Sequence, residues 1–372
     1  MDTRVLKQCR TLVSNHYSVT VICLRNRREP KYEEIDGVKV HRLRIHKKRG
    51  SIIRYLFEYL YFFFLAFIKL NQLDLKEKFS LIQVNTLPDF LVFATFIQKI
   101  RGANILIDMH EIMPEFFISK YKMHYRSPVI KILKYIEKVS LLFANEVITI
   151  NVPIKNTFKH RSIPHKNITI VMNTVDELIV PAKSKQQKKD FNIVYHGTLG
   201  EIYGVDIAIK ALKEFFKVNK EFKFYIFGDG PEKEYLDLLI NKFGLDNHIF
   251  LMGFLPFEEM MKYLENMTIG VLPTRKDVFS DLSFSNKLAE YIYMKIPVIA
   301  SRLNSTEYYF SEEEITYFSA ENSHDLKKQI AFAYNNPRLM KNRAMKAFEK
   351  YQSIKWSVMA ERYLNLVNSL YD

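Results

Sequence analysis

Residues 284–301, FSNKLAEYIYMKIPVIAS, read as a helix feeding directly into a strand. Leu288, Ala289, Ile292 and Tyr293 recur at helical spacing, while Pro297, Val298, Ile299 and Ala300 form a short β-branched run suited to a strand buried on both faces. Ser285 and Asn286 are good N-cap residues, which puts Lys287 and Glu290 in the opening turn. Unsatisfied amides and the helix dipole attract an anion there. A diphosphate fits that position, with Lys287 as its cation and Glu290 accepting hydrogen bonds from sugar hydroxyls. The same residues also describe an ordinary amphipathic helix with solvated charges.

The alternation continues along the chain. In the second half, strands are expected at 193–196, 222–227, 249–252, 269–272 and 298–300, with a helix at 205–216. In the first half they are expected at 19–24, 38–43, 81–84, 104–107, 147–150 and 168–172. Strands alternating with helices predict a doubly wound, mostly parallel α/β sheet. With 372 residues the chain is too long for one core, so two domains follow: 1–182, a linker at 183–190 in the polar run KSKQQKKD, 191–350, and a closing amphipathic helix within 351–372. That last helix carries Met359, Tyr363, Leu366, Val367 and Leu370 on one side. The first residues also read as a helix, with Val5, Leu6, Cys9, Leu12 and Val13 as its apolar stripe.

The charge is uneven. Residues 1–180 hold 29 Lys and Arg against 16 Asp and Glu, whereas 181–372 hold 26 against 25. An anionic partner for the first half follows, either a membrane surface or nucleic acid; no nucleic-acid motif accompanies the charge. The run YLYFFFLAFI, 59–68, is too short to cross a bilayer, which takes about 20 residues. Preceded by His46, Lys47, Lys48 and Arg49, it suits an interfacial helix; a core helix is the alternative. Two cysteines cannot build a disulfide framework and suit a reducing compartment, and the polar amino end shows no secretory signal.

Chemistry gathers where strands end. Gly197, Gly200 and Gly204 follow the strand at 193–196, where a phosphate needs close backbone approach. Their spacing is not the dinucleotide fingerprint, which argues against nicotinamide and flavin. Gly228, Asp229, Gly230 and Pro231 follow the next strand and could equally be a plain tight turn. Asp108, His110 and Glu111 stand at the end of the strand at 104–107, where open α/β sheets keep their active sites, although His110 could be a satisfied half-buried histidine. No cluster has zinc spacing, and neither a Walker loop nor a G-x-S-x-G elbow occurs.

Taken in order, YHGTLGEIYGVDIAIKAL, FYIFGDGP, FLPFEEMMKYLENMTIGVLPT and FSNKLAEYIYMKIPVIAS resemble the donor half of retaining family 4 glycosyltransferases of the GT-B fold. DTRVLKQCRTL, IDGVKVHRL, ILIDMHEIMPEF and VMNTVD are similar to that family's acceptor half. The resemblance implies two Rossmann-like domains facing a cleft, with the last helix packing back toward the first. It implies a nucleotide-diphosphate sugar as co-substrate, no other cofactor and no metal. Lys287 would bind the diphosphate or donor sugar and Glu290 the ribose. Gly197, Thr198 and Gly200 would line the phosphate loop, with 228–231 near the base and His110 beside the reacting sugar. Asp108 and Glu111 are acceptor-side candidates.

Three departures stand out. Leu282 occupies a position where the family has a glutamate, leaving Asp281 or Ser283 as substitutes. Thr198 and Tyr203 stand where it has arginine and lysine. Ahead of the first helix the strand that is central in relatives is not found: either the true start lies upstream or the first domain has lost that strand, and lowered activity is expected of the sequence as written. The expected function is hexosyl transfer to a lipid-linked or polysaccharide acceptor in cell-surface glycan synthesis, by a cytoplasmic protein held on the anionic inner face of the plasma membrane. Alternatives are a nucleotide-sugar epimerase, and a catalytically impaired relative that binds sugar nucleotides or acts as a scaffold.

Overall fold

The computed structural model describes residues 3–26, 29–45, 52–177 and 190–371. The basic run 46–49 and nearly all of the expected linker, 183–189, lie outside them. The chain divides into two compact units, one of Met1–Met172 with Met359–Asp372 and one of Asn173–Val358. Within the second unit Val175 donates its amide to the Tyr351 hydroxyl at 3.1 Å.

The first unit runs α1 (Thr3–Ser14), β1 (Val19–Arg25), β2 (Tyr32–Ile35), β3 (Val38–Arg44), α2 (Ile52–Glu77), β4 (Leu81–Asn85), a 3-10 turn (Asp89–Thr95), α3 (Phe96–Ile100), β5 (Asn104–Met109), α4 (Met113–Tyr121), α5 (Pro128–Phe143), β6 (Glu146–Thr149), α6 (Val152–Arg161) and β7 (Thr169–Ile170). Its strands form two sheets, β1-β3-β2 and β4-β5-β6-β7. All pairings are parallel except that of β2, which runs antiparallel along β3. Among the described residues β1 and β4 are each paired on one side only. Residues 89–100 form the 3-10 turn followed directly by α3.

Helix α1 differs most from expectation. Val5 and Val13 do pack on Val38 and Val40, but its most buried side is polar: Arg4 and Gln8 are 2% exposed. Arg4 grips both carboxylate oxygens of Asp108 at 2.8 and 2.9 Å and donates to the Val171 carbonyl at 2.6 Å. Gln8 adds a third bond to Asp108 at 2.9 Å and receives one from Gln83. The clamp ties α1 to β5 of the second sheet while its apolar positions hold β3 of the first. The expected closing helix is α14 (Trp356–Asn368). It belongs to this unit, burying Met359, Tyr363 and Val367, with Tyr363 bonded to Gln83 at 2.6 Å.

The second unit contains β8 (Asn192–His196), a 3-10 turn (Glu201–Tyr203), α7 (Val205–Phe216), β9 (Lys223–Phe227), α8 (Lys233–Phe243), β10 (Ile249–Gly253), α9 (Phe257–Leu264), β11 (Ile269–Leu272), α10 (Asn286–Tyr293), β12 (Val298–Ser301), α11 (Asn304–Glu307), β13 (Thr316–Phe318), α12 (Ser323–Asn335) and α13 (Pro337–Tyr351). Its sheet order is β10-β9-β8-β11-β12-β13, parallel throughout. The chain winds outward from β8 one way and from β11 the other, so the order reverses between them. Crevices at such reversals, beyond the strands' carboxyl ends, are where open sheets of this kind bind ligands. On α10 the buried tyrosine is Tyr291 rather than Tyr293. Its ring lies flat on Gly270 of β11, where a Cβ would come within 2.5 Å of it.

Removing Arg4 strands the Asp108 carboxylate in the interior, since burial works to raise its pKa and Arg4 holds it below the usual range. Arg4→Ala is expected to cost the first unit about 3–5 kcal/mol in urea denaturation. Arg10→Ala, which cuts an exposed pair with Asp36, is expected to stay within roughly 1 kcal/mol of wild type. Equal losses would contradict this reading of the clamp.

Candidate functional site

Two glycine turns meet at the carboxyl ends of β8 and β9. Gly197 has φ +119° and Gly228 φ +138°, backbone that L side chains rarely adopt. A Cβ on Gly228 would lie 1.9 Å from the Gly197 carbonyl oxygen, and one on Gly230 2.3 Å from that of Leu199. The turns are stitched together by Gly197 N–H to Phe227 O at 2.9 Å and Leu199 N–H to Asp229 O at 3.0 Å. The segment 228–231 is therefore more than a tight turn: its glycines let a second loop lie directly against the first. Thr198 and Asp229 are exposed at the mouth, and the Thr198 carbonyl accepts the Tyr195 hydroxyl at 2.8 Å.

Helix α10 aims its amino end at these turns. Ser285 has N-cap backbone geometry but makes no side-chain cap bond, and Asn286 is the first helical residue. Lys287 passes over Gly197 so closely that a Cβ there would sit 2.2 Å from its Cε. Its ammonium lies 4.3 Å from the centre of the Tyr203 ring and 5.6 Å from that of Tyr195. The side chain is half-buried; burial pulls its pKa down to about 8, opposed by Glu290. The tyrosine faces partly replace lost hydration through cation–π attraction. One turn on, Glu290 Oε2 approaches His196 Nε2 at 3.1 Å without the alignment of a hydrogen bond. Burial first, then Lys287, depress the His196 pKa to about 3, so this contact is a neutral imidazole beside a carboxylate and not an ion pair. Tyr291 holds the imidazole edge-to-face at 5.0 Å.

Two residues that sequence reasoning missed shape this pocket. His196 is the last residue of β8; its place before Gly197 is the signal that could have found it. Arg275 follows β11 closely and binds Asp206 through two bonds, at 2.8 and 3.0 Å, and the Glu201 carbonyl at 2.7 Å. It thereby pins the 3-10 turn carrying Tyr203 to the start of α7. Gly204 allows the join, since a Cβ there would meet the Pro273 carbonyl oxygen at 2.0 Å.

The remaining candidates belong to the first unit. Asp108, completely buried and held by Arg4 and Gln8, works as an anchor for α1. His110 and Glu111 follow the end of β5, both partly exposed, and His110 Nδ1 is buried without a hydrogen-bond partner.

The family model of glycosyltransferase family 4 matches residues 1–177, and that of glycosyl transferases group 1 matches 176–350. The chain belongs to this glycosyltransferase family. A Methanocaldococcus jannaschii protein described as an uncharacterized glycosyltransferase is 25% identical over 229 residues, 60% of this chain and 59% of that relative. The match thus spans under two thirds of the relative's length. Among solved structures, a sucrose-phosphate synthase from Thermosynechococcus elongatus superposes with a TM-score of 0.79 at 16% identity, covering 99% of this chain and 92% of its own. HepE from Anabaena, solved with UDP and glucose, gives 0.70 at 14% identity, covering 98% and 95%. These likenesses establish the GT-B fold: α/β, with parallel sheets in two Rossmann-like domains.

Within the family pattern, neither substitute for the glutamate at Leu282 is idle. Asp281 caps α11, accepting from the Asn304 amide at 2.8 Å and side chain at 2.6 Å, and pairs with Lys276 at 3.3 Å. The Ser283 hydroxyl donates to the Phe279 carbonyl at 2.9 Å. Tyr203, standing where a cation is usual, instead supplies the ring beneath Lys287.

The two glycine turns differ in what a side chain would strike. Gly228→Ala collides with fixed backbone and is expected to cost roughly 1–3 kcal/mol, with Gly197→Ala costing less because the end of a lysine can swing away. Chemical denaturation of the two variants checks the order; a larger loss at Gly197 would contradict it.

Proposed function

We propose that the second unit binds a nucleotide-diphosphate sugar at the amino end of α10 and that the chain transfers its hexose, with retention of configuration, to a lipid-linked or polysaccharide acceptor in cell-surface glycan synthesis. The observation that carries this is Lys287: a lysine half-buried over the Gly197 turn and against the Tyr203 ring, on the first turn of a helix, at the reversal of a parallel sheet. An anion entering there meets the ammonium, the helix dipole and backbone that approaches without side chains. Glu290 takes the ribose hydroxyls, Gly197, Thr198 and Gly200 follow the phosphates, and 228–231 lie near the base. His110 is assigned to the reacting sugar, with Glu111 toward the acceptor.

In this reading the acceptor hydroxyl attacks the anomeric carbon on the face the diphosphate is leaving. The protein's main task is then to stabilise the departing charge, which suits a preorganised cation rather than a strong base, and no metal is invoked. The acceptor is presented at the anionic inner face of the plasma membrane.

A non-catalytic sugar-nucleotide binder or scaffold is the second reading, favoured by Leu282 with both neighbouring polar residues engaged elsewhere. Screening nucleotide sugars for thermal stabilisation tests the ligand; at 100 times Kd a genuine one adds about 2.7 kcal/mol. Glu290→Ala separates the readings: an enzyme loses turnover, whereas a scaffold keeps its biological role.

The depressed pKa of Lys287 sets a pH dependence. Below about pH 8 the ligand-free ammonium is charged, and above it the lysine loses its proton, so binding a diphosphate must draw the proton back. Calorimetric affinity for uridine diphosphate is expected to be flat from pH 6.5 to 7.5, then to weaken toward roughly tenfold per pH unit above 8. Lys287→Met is expected to bind about 1.5–3 kcal/mol more weakly at pH 7 and to lose that slope. A slope surviving in the variant would contradict the assignment.

A further inference from the structure

In the first unit, α2 and α5 turn apolar groups outward. On α2, Phe57, Tyr61, Phe64 and Ile68 recur three and four residues apart, each more than half exposed, with Phe57 at 68%. That spacing makes one continuous stripe. On α5 the inward side is Ile130, Leu133 and Leu141, and the outward side shows Ile132 at 58% and Tyr135 at 66%, alternating with exposed Lys131 and Lys138. The one acidic residue of α5, Glu137, faces inward and is bonded by Arg161 at 2.9 Å. The outward face of α5 therefore carries apolar groups and cations with no carboxylate among them, and on α2 Glu58, beside Phe57, is paired with Arg54 at 3.3 Å.

The two stripes sit on neighbouring helices. Both helices pack against the 3-10 turn Asp89–Thr95: Phe63 of α2 meets Phe90 at 6.0 Å, and Phe143 of α5 meets Phe93 at 5.1 Å. Tyr59 of α2 also reaches the cluster of Phe117, Ile130 and Leu133. Exposed apolar surface on this scale marks something that covers it. The interleaved lysines say what: rings and aliphatic tips sit at headgroup depth in a bilayer, while lysines on the same face extend to lipid phosphates. No described helix is long and apolar enough to cross a membrane.

We propose that α2 and α5 form the face by which this protein lies on an anionic phospholipid bilayer, in the plane of its interface. The inference rests on the membrane-surface part of the function proposed above and gives it an address; it is independent of the donor pocket. The test sediments the full chain with vesicles of phosphatidylglycerol and phosphatidylcholine in equal parts, and with phosphatidylcholine alone. Wild type is expected to pellet with the first and not the second, and to be released in part by about 0.5 M salt. Lys131→Glu/Lys138→Glu and Ile132→Ser/Tyr135→Ser, all at exposed positions, are each expected to weaken partitioning at least roughly tenfold. Thermal stabilisation by uridine diphosphate is expected to stay unchanged in both. Wild type remaining in the supernatant, or either variant pelleting like wild type, overturns the proposal. So does a dimer in sedimentation velocity that Ile132→Ser/Tyr135→Ser abolishes while vesicles are ignored. Lipid binding that persists where uridine diphosphate gives no stabilisation supports the docking face and strikes only the donor-site reading.

Discussion

One desolvated ammonium organises the second unit. A half-buried lysine loses hydration that no single contact replaces, and the surroundings of Lys287 are arranged around that cost. Gly197 gives up its side chain to let the lysine pass, Tyr203 and Tyr195 present ring faces, and Glu290 supplies a carboxylate one turn away. His196 stays neutral for the same reason, since a second positive charge so near would compound the penalty. Even distant parts serve the pocket: Arg275 and Asp206 hold the turn bearing Tyr203, and Gly270 leaves room for Tyr291 to brace the imidazole. A diphosphate would supply the charge the site lacks.

Much of the second unit was legible in the sequence. The helix Val205–Phe216 and the strand Ile269–Leu272 fall where periodicity puts them, because glycine, proline and polar residues bound each apolar run. Lys287 could be placed on the first turn of α10, with Glu290 one turn on, because Ser285 and Asn286 mark where the helix begins. What could not be read was tertiary. No pattern announces that His196, at a strand end, would become the neighbour of Glu290, or that Arg275 would reach back to Asp206. Tyr291 and Tyr293 could not be told apart, since only the glycine across the sheet decides which one is buried.

The first unit was harder for a physical reason: its organising contacts are polar. Helix α1 looked like an apolar stripe, yet its best-buried residues are an arginine and a glutamine bound to an aspartate about a hundred positions away. Asp108 stood among the acceptor-side candidates because it ends a strand, and the structure gives its carboxylate to that clamp. The edge strand Tyr32–Ile35 hid in a charged segment because only one of its faces meets the core. The exposed stripe of α2 was visible as composition, but whether those rings faced core or solvent needed the fold.

The proposed chemistry of the second unit depends on where a nucleotide's diphosphate rests. The most direct measurement is a crystal structure of the chain with uridine diphosphate, refined far enough to place the phosphate oxygens. The account predicts a phosphate oxygen within hydrogen-bond reach of Lys287 Nζ, the diphosphate over Gly197 and Gly200, and ribose hydroxyls against Glu290. A diphosphate bound elsewhere on the unit, or a Lys287 side chain turned out into solvent with the nucleotide present, would contradict it.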